Sequence, residues 1–179
     1  MNIYRINKTA TELISLEALK DHLRVEHNAE DNIIKALGQA AYDWVEQFTG
    51  RSVLKTYWKF VSQVFKAGSV IEQQLPFPNL LEIESVTHRL SAADQEQPAR
   101  YTTSQRNSIS SIRLISKGAP VEVLYSSGFG PDPSFVPEAF HQSVKILVAH
   151  WYQNREGLSC GIPTTVEKFL YPYQILRCA

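Results

Sequence analysis

Residues 136–157, VPEAFHQSVKILVAHWYQNREG, constrain this chain more than any other stretch, because they read as one complete helix with a marked start and stop. Pro137 suits the first helical position, where a missing N–H leaves nothing unsatisfied, and Glu138 faces the positive end of the helix dipole. Phe140, Val144, Leu147, Val148 and Trp151 recur at three- and four-residue spacing and form one apolar stripe. Arg155 falls in the last turn, and Gly157 at the usual left-handed stop. On pattern alone this is a helix built to be packed against.

A companion lies near the other end of the chain, residues 15–50, SLEALKDHLRVEHNAEDNIIKALGQAAYDWVEQFTG. Ser15 can cap a short helix carrying Leu16, Leu19 and Leu23. After a break at 25–27, Asn28 is the expected cap of a longer helix with Glu30 and Asp31 in its first turn, where acidic groups complement the dipole. Ile33, Ile34, Leu37, Ala41, Trp44, Val45 and Phe48 make its apolar face, and Gly50 ends it. The two long helices are expected to pack together. Their shared core would be Ile34, Leu37, Trp44 and Phe48 against Phe140, Val144, Leu147 and Trp151, with both tryptophans largely buried.

The stretch between them has another texture. Residues 53–65 are rich in β-branched and aromatic side chains and read as a strand. Leu75, Pro76, Phe77 and Pro78 make a turn or extended connector, since two prolines forbid regular pairing. Residues 81–90 read as a strand with one irregularity, 91–99 as polar turn, and 101–103, 109–115 and 121–125 as three further short strands. Gly118, Ala119 and Pro120 turn between the last two. The expected fold is therefore α+β: N- and C-terminal helices forming a helical layer, with a small antiparallel β-sheet or barrel inserted between them. The expected division is 1–52 and 134–179 for the helical body and 53–133 for the inserted β-rich subdomain.

Composition narrows the function classes. Eighteen basic residues balance eighteen acidic ones, so there is no electrostatic footprint for autonomous nucleic-acid binding. No apolar run approaches the roughly 20 residues needed to cross a bilayer, and residues 1–10 lack a secretory pattern, so the reading is a cytosolic chain with no membrane partner. Cys160 and Cys178 are too few for a disulfide framework and are expected as thiols.

Candidates for chemistry fail one by one. His22 and His27 straddle a helix break at no standard metal spacing, and His141 and His150 are too far apart on one helix to share an ion. His150 is expected half buried against the sheet with a ring nitrogen bonded to backbone. Ser126-Ser127-Gly128 lacks the turn that presents a hydrolase serine, and no helix opens directly after Gly128-Phe129-Gly130 to cradle phosphate. Those glycines suit a tight exit from the last strand. Glu82 and Glu84 read as solvated charge. The chain is expected to be no enzyme and to carry no cofactor.

The order of these elements resembles the head–tail connector (adaptor) proteins of long-tailed phages, prophages and gene transfer agents. In that family an hLRh stretch precedes an acidic helix start, and the helix closes on TGR. Here Leu23-Arg24-Val25 is followed by Asn28 to Asp31 and by Thr49-Gly50-Arg51. YSSGFG at 125–130, VPEAF at 136–140, LVAHWYQNREG at 147–157 and VEKFLYPYQ at 166–174 resemble the family's later motifs in order and spacing. Gln174 departs from an Arg common there, which argues against a charge-based contact at that position. The resemblance implies a structural subunit of the virion's head–tail interface, made in the host cytoplasm. It implies a self-assembled ring of about a dozen copies closed by head-to-tail contacts, with the portal protein and the tail stopper as partners and DNA only as passing cargo. The rival class is a small non-catalytic soluble binding or regulatory module of the same fold.

Two sets of contact residues follow. Aromatics are in surplus near the C-terminus, and Phe169, Tyr171, Tyr173 and Ile175 are the expected portal-docking anchors on a segment loosely packed in the free subunit. Arg24, Glu26, Glu30 and Asp31 are the candidate subunit contacts, the acids facing a neighbour's basic groups such as Arg24 or Lys35. Dipole complementation within one subunit is the competing account of the same acids.

Overall fold

The computed structural model describes residues 2–8, 12–89, 97–106, 109–155 and 161–175. Along the chain these form β1 (Asn2–Lys8), α1 (Leu16–Leu23), α2 (Asp31–Thr49), β2 (Thr56–Val61), β3 (Val70–Gln74), β4 (Leu80–His88), β5 (Gln97–Pro98), β6 (Tyr101–Arg106), β7 (Ile109–Ile115), β8 (Val121–Ser127), α3 (Glu138–Gln153) and α4 (Thr164–Leu170). Short 3-10 turns at Pro133–Phe135 and Tyr171–Tyr173 precede α3 and follow α4. The fold is mixed α+β and divides into two compact units.

One unit comprises Met1–Thr9 and Ser52–Pro131. Its strands form a five-stranded antiparallel sheet, β1-β2-β8-β4-β5, and a three-stranded one, β3-β7-β6. Alternation decides what faces inward: Trp58 and Phe60 of β2 lie opposite Tyr125 and Val123 of β8, and Ile112 and Leu114 of β7 opposite Gln73 and Ile71 of β3. The apolar side chains of both sheets, among them Trp58, Phe60, Ile71, Val86, Ile112 and Tyr125, fill one core. Phe77, held at positive φ between two prolines, stacks on Trp58 with ring centres 4.1 Å apart.

This unit differs from the sequence reading in several ways. Residues 2–8, grouped above with the helical body, form a strand paired with β2, and residues 70–74 form a strand where none was expected. Neither shows a clear apolar alternation: Ile3 and Tyr4 are adjacent in β1, and β3 is short with Val70 and Ile71 adjacent. β4 has two register shifts rather than one, between Leu80 and Glu82 and between Ile83 and Ser85. Residues 53–55 pair with 128–130 instead of extending β2: Leu54 bridges Gly130, and the Phe129 N–H donates to the Val53 carbonyl at 3.0 Å. Gly128, at φ 145°, permits that approach, because a Cβ there would lie 2.6 Å from the Leu54 oxygen. Glu82 and Glu84 are exposed.

The other unit comprises Ala10–Arg51 and Asp132–Ala179. In it α1 packs on α2 and α3, α2 on α3, and α4 on α3 and α2. Ser15 caps α1, its hydroxyl accepting from the Ala18 N–H at 3.3 Å, and Arg24 closes the helix in the left-handed conformation. Gly50 ends α2 in the same way. Ile34, Ala41, Val45, Phe140, Val144, Leu147, Val148, Val166 and Leu170 make the core, each with 1% or less of its surface exposed. Gly38 lets α1 lie close, since a Cβ there would be 2.9 Å from Leu19 Cδ1.

Several expected positions move. Asn28 does not cap α2; Glu30 occupies the cap position without a side-chain cap bond, because both side chains are engaged elsewhere. Pro137 stands just before α3, one residue ahead of the position expected for it. Trp44, Phe48, Leu37 and Trp151 are only partly buried. The reason is positional: Leu37, Trp44 and Phe48 share one flank of α2, with Trp44 stacked on Phe48 at 4.9 Å, and Trp151 lies in the last turn of α3. His150 is half-buried, with its Nδ1 3.5 Å from the Asn154 amide and its buried Nε2 without a partner, so the expected backbone bond is not made. Cys160 and Cys178 lie outside the described residues.

Candidate assembly surfaces

The four proposed subunit-contact residues cluster at the α1–α2 junction, where the structure divides them. Asp31 is paired within the chain: Lys20 Nζ donates to its carboxylate at 2.8 Å and to Asn28 Oδ1 at 2.6 Å, fastening α1 to the start of α2. Glu30 is paired too. The Tyr152 hydroxyl donates to one of its oxygens, and the Arg155 guanidinium donates to the other at 2.8 Å while lying over the Tyr152 ring at 4.4 Å. The hydrogen bond from Tyr152, then that from Arg155, hold the Glu30 carboxyl below its ordinary pKa. The same bond to Glu30 raises the Tyr152 phenol. The geometry thus assigns both acids an internal role at the helix start. Arg24 and Glu26 are exposed.

The C-terminal segment is tied down more firmly than a loosely packed tail. Leu170 is fully buried. The Tyr173 ring meets Phe140 edge-on at 5.0 Å, its carbonyl accepts from Arg51 Nε at 2.5 Å, and the Ile175 N–H donates to the Thr49 carbonyl at 3.0 Å. Arg51 is itself buried, and that burial lowers its guanidinium pKa. Residues 173–175 therefore close the end of α2. Phe169 and Tyr171 differ: they are 41% and 58% exposed, Tyr171 standing edge-on to Phe48 at 6.1 Å. The aromatic surplus was legible in the sequence. Which aromatics face outward was not, because a 3-10 turn at Tyr171–Tyr173, with Pro172 inside it, sets their directions.

Two features were missed. His88 is 1% exposed with Nδ1 unpartnered, and burial, then the nearby charge of Lys117, lowers its pKa. The outer face of β3-β7-β6 forms an open polar trough of about 820 Å³, lined by Glu72, Gln74, Thr102, Ser104, Ser111 and Arg113. Among the described residues no group of three or more His, Cys, Asp or Glu side chains could hold a metal ion, and no helix is long and apolar enough to cross a membrane.

These surfaces belong to a recognisable kind of molecule. Residues 13–119 match the family described as phage gp6-like head-tail connector protein, and the chain belongs to that family. Its members are structural proteins of the phage particle rather than enzymes. Three solved chains share the fold. One, from the neck of an empty gene transfer agent particle computed with C6 symmetry, superimposes with a TM-score of 0.82 at 20% identity, covering 100% of this chain and 98% of that one. A chain of the virion of a native gene transfer agent particle gives 0.81 at 20%, and one from the native neck computed with C12 symmetry gives 0.78 at 18%, with the same coverage. No curated protein is similar enough to match.

Proposed function

We propose that this chain is the connector subunit of a phage, prophage or gene-transfer-agent virion, assembling as a ring beneath the portal at the head–tail interface. The ring extends the DNA channel and offers the tail stopper its platform. The supporting observation is the end-to-end likeness to neck chains, together with membership of the connector family. The helical unit is the ring-forming body, and the β-rich unit, which takes in β1 as well as residues 52–131, is the second subdomain. A chain with no net charge suits a channel that lets DNA slide, because a basic wall would grip the backbone through counterion release.

Phe169 and Tyr171 supply the portal contact: both are exposed aromatics carried on a braced segment, which loses little entropy on docking. Tyr173 and Ile175 set the position of that segment. Deleting the gene in a producing host should leave DNA-filled heads without tails, and restoring the chain should restore tailed particles. Tailed, infectious particles from the deletion strain would overturn the assignment.

A further inference from the structure

The partly exposed flank of α2 is a continuous apolar ridge. Ile33, Leu37, Ala40, Trp44 and Phe48 recur at three- and four-residue spacing; Ile33 is 44% exposed, Ala40 is exposed, and the other three are partly buried. The ridge itself carries no charged residue. Lys35, Gly38, Gln39 and Tyr42 lie about half a turn round the same helix from this ridge. There they line a groove of about 320 Å³ whose floor is Leu13, Leu19 and Val144. An apolar cavity of about 150 Å³ accepts a benzene ring, so the groove has room for more than one bulky side chain. The aliphatic stem of exposed Lys35 forms part of its lip.

We infer that the ridge of one copy packs into the groove of the next. This rests on the ring reading above and names its interface. A ridge and a largely apolar groove on opposite sides of one helix suit a heterologous contact: each copy offers a ridge to one neighbour and a groove to the other, and repetition closes a ring. A portal or stopper contact would need only one of the two. The contact also accounts for the incomplete burial of Trp44 and Phe48, which the single subunit leaves partly covered.

The test uses the full chain with two variants. Ile33→Glu/Ala40→Glu spoils the ridge, and Gln39→Trp fills the groove; Ile33, Ala40 and Gln39 are all exposed, so the fold should survive, as thermal melts will show. Assembly is read by native mass spectrometry over rising concentration, and by the number of copies retained on connector-deficient heads. Wild type should form rings, and each variant alone should stay monomeric. Mixed in equal amounts, the two should stop at dimers, because one intact ridge meets one intact groove and nothing further can add. Rings from either folded variant would overturn this interface while leaving the ring reading in place. A wild type that forms no ring in solution or on heads would overturn the ring reading, and this inference with it.

Discussion

Arg155 reaches back across 125 residues to Glu30, its guanidinium 2.8 Å from the carboxylate, and so ties the end of α3 to the start of α2. With the Tyr152 hydroxyl it depresses the Glu30 pKa, the tyrosine bond contributing most. A carboxyl with a lowered folded pKa contributes stability that is complete above its unfolded value, about 4.5, and lost as pH falls through the folded one. Glu30→Gln should therefore lower Tm at pH 7, and the gap to wild type should close in strong acid. Melting curves at both extremes check this; an equal gap at each would mean the clasp is not ionic.

His88 gives a second pH dependence at higher pH. Burial, then Lys117, favour its neutral form in the folded chain. The unfolded chain takes up a proton below about 6.5 while the folded chain does not, so stability is full above that value and declines as pH falls toward the lower folded pKa. His88→Gln removes this dependence. Denaturation at pH 7.5 and 5.5 should show wild type losing more stability than the variant over that interval; parallel losses would place the acid sensitivity elsewhere.

Two glycines should respond in opposite ways to the same added methyl. At Gly128 the φ of 145° and a Leu54 oxygen 2.6 Å from the new Cβ leave no room, because the obstacle is backbone. Gly128→Ala should cost about 2–4 kcal/mol. At Gly38 the obstacle is the end of the Leu19 side chain, 2.9 Å away, which can turn aside. The gain of up to about 1 kcal/mol in helix propensity offsets that adjustment, so Gly38→Ala should stay within about 1 kcal/mol of wild type. Urea titrations of both variants decide it, and a large loss at Gly38 would show that the α1–α2 approach is rigid.

What the sequence made legible follows from which signals are local. Ser15 and Gly50 act through their own backbone neighbours, and both perform the expected roles. The inward positions Ile34, Phe140, Val144 and Leu147 follow from helical period, and all are buried. Period says which residues share a face, but not whether the subunit itself covers that face; Leu37, Trp44 and Phe48 lie on a flank it covers only in part. The partners of Glu30 were not legible because they lie 122 and 125 residues away. His88 was invisible because two bulges in β4 break the alternation that would have placed it inside.

The C-terminal segment allows folding and docking to be separated by single residues. Tyr173 packs on Phe140, and its backbone satisfies the buried Arg51, so Tyr173→Ala should destabilise the helical unit by about 2–3 kcal/mol. Phe169 and Tyr171 are both substantially exposed, and Phe169→Ala with Tyr171→Ala should stay within about 1 kcal/mol of wild-type stability. On portal-bearing heads the order reverses. An interfacial hot spot is worth about 2 kcal/mol or more, roughly 30-fold in Kd, so the double variant should attach at least that much more weakly. Binding of labelled connector to heads, measured beside denaturation of the same preparations, checks both halves. A double variant that folds and attaches like wild type would move the portal contact off this segment, leaving residues 173–175 as a purely internal brace for the end of α2.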